Sequence, residues 1–281
     1  NAKPFKTYMN VLDQEMYLRV APELYLKRLI VGGYEKIFEI ARNFRNEGID
    51  TSHQPEFTMI EWYEAYADYQ KVMDRAEGLI KHLVKSLNGD TKVKIVNKEI
   101  EIGGEWTRIP MLSLVKEYLK IDPDRVSDDD LRSLLNKSGV KLAGVWSRGA
   151  ALFSLFDHSI TNKLINPTWV IDYPKEVSPL SKEHRSKEEL VERFEGYIGG
   201  KEICDGWSEI TNPLVQRARF ENEQKNLKAG DAEAQPMDED FLMTMEYGMP
   251  PLGGIGIGID RLVMFLTNTW SIRETIAFPT L

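Results

Sequence analysis

The chain has 281 residues, 42% of them hydrophobic and 28% charged, with a formal net charge of −8 and a single cysteine, Cys204. Its length suits one large domain or two small ones, and its composition suits a soluble globular fold. The acidic balance argues against nucleic-acid binding driven by a general positive field. One cysteine excludes an internal disulfide and a cysteine-based zinc cluster and fits a reducing cytoplasm, and no apolar run reaches the roughly 18 residues of a membrane span.

The start, Asn1-Ala2-Lys3-Pro4-Phe5, has no apolar signal core and no initiator Met, so the chain is expected to be part of something longer. Met16 to Val20 alternates as a strand does, and Pro22 opens a helix, Glu23 to Val31, closed by Gly32-Gly33. Lys36 to Ile40 and Phe57 to Tyr66 read as strands flanking a loop that holds Phe44-Arg45-Asn46-Glu47-Gly48 and His53-Gln54-Pro55-Glu56. Asp68 caps a helix that runs to about Leu87 and stops at Asn88-Gly89. Val93 to Ile102 is expected to form a hairpin turning near Asn97-Lys98, and residues 107–165 are expected to form an insertion of short helices, one of them capped by Ser127-Asp128.

Thr168 to Ile171, Phe194 to Ile198 and Lys201 to Trp207 read as strands, the last two turning at Gly199-Gly200. Asn212-Pro213 and Met237-Asp238 each open a helix. A strand containing Gly253, Gly254, Gly256 and Gly258 then leads into an apolar helix at Asp260-Arg261. Strands paired through short turns, with flanking helices, indicate an α+β fold built on an antiparallel sheet. The glycine run is not a dinucleotide fingerprint, because Gly254-Ile255-Gly256 has no glycine three residues on.

Three constellations carry possible chemistry. Arg45 and Glu47 on a glycine-containing loop can hold a nucleotide and an acyl group, the Arg through its planar fork of donors, with Phe57 near enough to stack on a base; they would equally serve as a surface ion pair. Glu195 and Glu202, on the two arms of a hairpin, can face each other; with no basic partner beside them they would need a cation, magnesium on substrate phosphates being the natural one, unless they line a solvated face. Glu61 and Tyr63 share a strand face, and with Glu209 they would make a pocket suited to an ammonium group, or simply an exposed sheet face. Arg261, at the end of the glycine strand, can lie along a nucleotide or sit in a helix-terminal salt bridge. Cys204 is expected to be a small buried residue.

Phe44-Arg45-Asn46-Glu47 with His53-x-Pro55-Glu56-Phe57-Thr58 resembles motif 2 of the class II aminoacyl-tRNA synthetases, and Gly256-Ile257-Gly258-Ile259-Asp260-Arg261 resembles their motif 3. Four further segments narrow the resemblance to the lysyl-tRNA synthetases: Ala21 to Arg28, Ala65 to Tyr69, Asp172-Tyr173-Pro174 with Ser178-Pro179-Leu180, and Glu246 to Pro251. The resemblance covers nearly the whole chain.

It implies an antiparallel class II sheet flanked by helices, and activation of L-lysine by ATP followed by transfer of the lysyl group to the 3′ end of tRNA(Lys). Arg45 would bridge the lysine carboxylate and the α-phosphate. Glu47 and Phe57 would hold adenine, His53 and Arg261 the distal phosphates or the ring, and Glu195 and Glu202 Mg2+. Glu23 would contact the α-amino group, and Glu61, Tyr63 and Glu209 the ε-ammonium. The family's asparagine beside the substrate carboxylate is replaced here by Asp205, which requires a proton or a cation between two carboxylates. Residues 1–281 are thus expected to form a class II catalytic domain incomplete at its N-terminus, without motif 1, which builds the family's homodimer and lies upstream of where this chain begins, and without the N-terminal anticodon-binding OB domain. A paralogue that lysylates a protein such as elongation factor P, or a non-catalytic synthetase-like module, are the alternative readings.

Overall fold

The chain begins with a hairpin of its own, β1 (Lys6–Met9) against β2 (Gln14–Tyr17). The computed structural model describes residues 2–95, 98–142, 144–231 and 234–280. The strand expected over Met16–Val20 stops at Tyr17. Leu18 N still donates to Phe5 O (3.0 Å), but Arg19 O accepts from Phe44 N (2.9 Å), which draws the chain toward the next hairpin. Helix α1 (Glu23–Val31) follows Pro22 with Glu23 in its first turn, where an acid complements the helix dipole, and ends at Gly32. Its inward stripe is Leu26, Lys27 and Ile30, a buried lysine between two apolar residues.

Strands β3 (Lys36–Phe44) and β4 (Glu56–Ala65) pair antiparallel along their length, from Lys36↔Glu64 to Phe44↔Glu56. Helix α2 (Tyr69–Asn88) is capped as expected: Asp68 accepts from Lys71 N (3.1 Å), and Gly89, at φ 70°, takes the left-handed C-terminal position. Strands β5 (Lys92–Ile95) and β6 (Lys98–Glu101) form a hairpin, of which Val96 and Asn97, including part of the expected turn, lie outside the described residues.

Three helices follow β7 (Thr107–Pro110): α3 (Met111–Leu119), α4 (Asp128–Ser138) and α5 (Arg148–Ser159). Their apolar faces, with Leu114, Leu131, Leu135, Leu152 and Phe156, pack as one cluster against Val170, Tyr173 and Val191. The strand β7, within the stretch expected to be helical, instead pairs in parallel with β8 (Thr168–Pro174). After a two-residue β9 (Glu183–His184) come β10 (Lys187–Ile198) and β11 (Lys201–Ser208). These two join through Gly199 and Gly200, at φ 65° and 76°. A β-carbon on Gly200 would stand 2.7 Å from Asn162 O, so the turn needs glycine for space as well as for conformation.

Helices α6 (Pro213–Lys228) and α7 (Glu239–Glu246), β12 (Leu252–Gly258) and α8 (Ile259–Thr267) complete the labelled elements. The sheet runs β3-β4-β12-β11-β10-β8-β7, with β9 on β10 and β7–β8 its only parallel pair among the described residues. Alternation sends Trp62, Phe194, Ile255 and Ile257 to the face covered by α2 and α8, where they join Val72, Met73, Ile80 and Leu262. The residues between them face the other way, into the cavity described next.

Candidate active site

Two rows of residues, each running across the strands, form the floor of a cavity of about 530 Å³. In an antiparallel ladder, directly opposed residues share a face. One row is Glu61, Gly256, Asp205 and Glu195; the next is Tyr63, Gly254, Trp207 and Arg193. A glycine stands at the centre of each row; Gly256 leaves space open above the floor, whereas the Tyr63 ring lies across Gly254. A β-carbon on Gly254 would overlap the Tyr63 ring and stand 2.8 Å from Glu209 Oε1, whereas one on Gly256 would meet only flexible atoms, Met59 Sδ at 3.2 Å first. Gly254→Ala is therefore expected to destabilise the chain by about 1–3 kcal/mol through overpacking, and Gly256→Ala by clearly less. Urea denaturation of both variants checks this; equal losses would refute it.

Of the sequence-predicted site residues, Glu23, Arg45, Glu47, His53, Phe57, Glu61, Tyr63, Glu195, Glu202, Asp205 and Arg261 line this one cavity. Glu209 does not line it: at 1% exposure it is buried against Tyr63, Trp207 and Gly254 at the edge of the cavity.

At one end three acids converge. Tyr63 OH donates to Glu61 Oε2 (3.0 Å), and Trp207 Nε1 donates to Glu209 Oε2 (2.8 Å). The buried Lys27 ammonium lies 2.5 Å from both Glu23 Oε1 and Glu209 Oε2, and 5.6 Å and 5.8 Å from the ring centres of Tyr63 and Trp207. Burial opposes its charge, but Glu209 and Glu23 outweigh burial and hold its pKa above the usual lysine value. Glu209 Oε1 is buried without a partner. Burial pushes the Glu61 carboxyl up to about 8, with Glu23 adding to the shift while Tyr63, Lys27 and Arg45 oppose it. Burial likewise raises Glu209 to about 8 against the pull of Lys27.

Arg45 follows the last residue of β3, its amide bonded to Pro55 O (2.8 Å) and its guanidinium 5.0 Å from the Phe57 ring centre. Its Nε is buried without a partner, and no carboxylate forms an ion pair with it among the described residues. Arg261, near the start of α8, reaches Glu202 Oε2 (3.3 Å) and His53 Nε2 (2.9 Å), while His53 Nδ1 bonds Asp50 (2.8 Å).

Glu195 and Glu202 do not face each other. Glu202 opposes Tyr197, as the two-residue turn dictates, and Glu195 opposes Asp205 after the β10–β11 ladder shifts register at Gly196/Tyr197. Nor do they lack basic partners. Arg193 Nη2 donates to Glu195 Oε1 (2.7 Å), the hydroxyls of Tyr173 (2.7 Å) and Tyr197 (2.5 Å) donate to Oε2, and Glu202 has Arg261. Burial pushes Glu195 up to about 8 although Arg193 opposes the shift. Arg193 also grips Asp205 with two donors, Nε and Nη2, each at 2.9 Å, and supplies the cation that Asp205 requires. The Asp205 carboxyl is still raised, chiefly by burial.

Among the described residues no three His, Cys, Asp or Glu side chains are gathered as a ready-made metal site. Glu202, 39% exposed and lining the cavity, and Glu195 on the same wall nevertheless match the one or two carboxylates that suffice for magnesium carried on phosphates. Cys204 is buried, and burial raises its thiol pKa well above the usual value, which leaves it inert.

Lys27 and Arg193 are the functional candidates that sequence reasoning missed. Lys27 is four residues after Glu23 on one helix face, and Arg193 shares a strand face with Glu195, so both signals were present as spacing.

The family model for tRNA synthetases class II (D, K and N) matches residues 1–281. The chain is 50% identical over 284 residues to a lysine–tRNA ligase of Clostridium novyi (strain NT), covering 100% of this chain and 56% of that protein. It is 48% identical to a lysine–tRNA ligase of Clostridium kluyveri (100% and 57% covered) and 50% identical to lysine–tRNA ligase 2 of Methanosarcina acetivorans (99% and 55% covered). The chain thus spans about half the length of the curated relatives it matches.

Proposed function

The chain belongs to the class II tRNA synthetases (D, K and N), and from that membership we propose that it activates L-lysine with ATP to lysyl-adenylate and passes the lysyl group to the 3′ end of tRNA(Lys). The observation that carries the choice of lysine is the acid end of the cavity. Three carboxylates, Glu23, Glu61 and Glu209, gather there, and Lys27 pairs with Glu23 and Glu209. An aspartate or asparagine side chain would leave those acids unpaired, a mismatch that rejects a substrate strongly. Arg45, without an acidic partner, holds the lysine carboxylate and the α-phosphate as the one attacks the other. Phe57 and Glu47 hold adenine, and Arg261 and His53 hold the outer phosphates.

Glu202 and Glu195 would hold Mg2+, which when bound neutralises phosphate charge. Arg193 lets Asp205 stand beside the substrate carboxylate by drawing off its charge. A homodimer is the proposed assembly. Its support is the exposure of Phe38 and Ile40 on the sheet-edge strand β3 and of Val11 and Leu12 on the β1–β2 hairpin. No helix among the described residues is long and apolar enough to cross a membrane, and the buried free thiol suits the proposed cytoplasmic setting.

Pyrophosphate exchange into ATP with lysine, aspartate and asparagine in turn tests the assignment; exchange with either of the latter and not with lysine would overturn it. The pH dependence follows from the two acids near 8. Below that pH the empty pocket holds protons on Glu61 and Glu209, and an arriving ammonium must displace them. Binding therefore releases protons, and lysine affinity should rise between about pH 6 and 8, by up to roughly tenfold per unit for each group. Titration calorimetry in buffers of different ionisation enthalpy reads the released protons directly; proton uptake would contradict the scheme.

A further inference from the structure

The acid end of the cavity contains a cation that no substrate brings. Lys27 reaches into it from α1, 2% exposed, and touches one oxygen of Glu23 and one of Glu209. The same Glu209 carboxylate leaves its other oxygen, Oε1, buried and unpaired beside Gly254 and the Tyr63 ring, both of which line the cavity. An unpaired buried carboxylate oxygen is costly, so that arrangement makes sense only if a donor arrives from the cavity side.

Resting on the lysine reading above, we propose that Lys27 is a specificity-determining positioning residue, a resident counter-ion that sets how many ammonium groups the pocket accepts. When ionised, Glu23, Glu61 and Glu209 carry three negative charges, and Lys27 cancels one of them. The two left over equal the charge of the two ammonium groups of free lysine. Arg45 meets the lysine carboxylate separately. Lys27 also fixes which oxygen of Glu209 faces the ligand, because Oε2 is taken by its ammonium and by Trp207 Nε1.

The charged and titratable groups facing Glu209 are Lys27 and Glu23 from α1 and Tyr63 from β4, and Glu61 bonds the far side of that Tyr63 hydroxyl. Without Lys27 the remaining acids hold protons to higher pH, and they present a donor where the ligand ammonium needs an acceptor. A chain that merely used Lys27 to anchor α1 would show none of this charge dependence.

The test measures lysine-dependent pyrophosphate exchange in the full chain for wild type, Lys27→Met and Lys27→Met/Glu209→Gln. Met keeps the unbranched stem and removes the charge. The single variant should raise the lysine KM at least tenfold, with kcat changed less than threefold, and should move the rise of kcat/KM to higher pH. The double variant restores a surplus of two negative charges and should bring the KM back toward wild type. If Lys27→Met does not fold, the double variant, which removes both members of the buried pair, must fold and bind lysine, or the inference fails.

Lysine-dependent exchange by wild type with the Lys27→Met KM within twofold and its pH profile unmoved would overturn the inference alone. So would a double variant no better than the single. A wild-type chain that exchanges with another amino acid and not with lysine would overturn the lysine reading, and this inference with it.

Discussion

Arg193→Met is expected to lower the unfolding free energy by about 3–5 kcal/mol, the range found when one partner of a buried ion pair is removed and the other stays behind uncompensated. The Arg193 side chain is 12% exposed and faces two acids that have little other charge compensation. It grips Asp205 with two parallel donors, bonds Glu195 Oε1, and anchors to Val177 O (3.0 Å) and Ser178 Oγ (3.2 Å) 4.8 Å from the Tyr173 ring centre. Methionine would fill much of the volume but leave both carboxylates desolvated.

Their answer is to keep protons. Burial already raises both groups while Arg193 opposes it, so in the variant their folded pKa values rise further above the unfolded ones. The folded state then binds more protons than the unfolded state over a wider range, and stability falls as pH rises through it. The penalty should therefore be larger at pH 8 than at pH 5 in urea denaturation. Arg193→Lys should recover only part, because a point charge cannot reproduce the fork on Asp205. Adding Asp205→Asn to Arg193→Met should return a measurable share of the loss. A single-variant loss below about 1 kcal/mol, flat with pH, would show that the pair carries none of this burden.

What was legible in the sequence follows the range of the physical signal. The caps of α2, the β3–β4 hairpin and the Gly199-Gly200 turn are local, and their residues stand within a few positions of what they control. The parallel pairing of β7 is not local: Thr107 meets Thr168 across three helices, and a four-residue strand ending in proline looks like a helix entrance. The partner of Glu195 was hidden by the register shift at Gly196/Tyr197. A regular ladder continuing from Ile198↔Lys201 would set Glu195 against Cys204; the shift sets it against Asp205 and so into the row with Gly256 and Glu61. Bulges re-aim side chains in this way near functional sites, and composition does not announce them. Lys27 was missed for another reason. A lysine in an amphipathic helix is expected to face water, and the acid at 209 that helps keep it buried comes from the end of β11, far along the chain.

Arg45→Ala is expected to cost about 2.7–4 kcal/mol of transition-state stabilisation, roughly 10²–10³-fold in lysine-dependent pyrophosphate exchange, while leaving the fold as stable as before. The two halves of that expectation come from one observation. Arg45 has an orphaned buried Nε, no carboxylate partner among the described residues, and only the Phe57 ring beside its guanidinium. A side chain so little engaged has little to lose from the folded state, and its removal also deletes an unsatisfied donor. Its guanidinium, over the Phe57 ring in the cavity wall, is close enough to oppose the raised pKa of Glu61. Under the proposed function, negative charge accumulates there when the lysine carboxylate attacks the α-phosphate, and a donor already in place need not reorganise. Arg193 and Arg45 should therefore separate cleanly, the first variant failing in denaturation and the second in turnover. Exchange by Arg45→Ala within fivefold of wild type would remove Arg45 from the chemistry. A stability loss as large as that of Arg193→Met would mean that its donors serve the fold and are not held ready for a substrate.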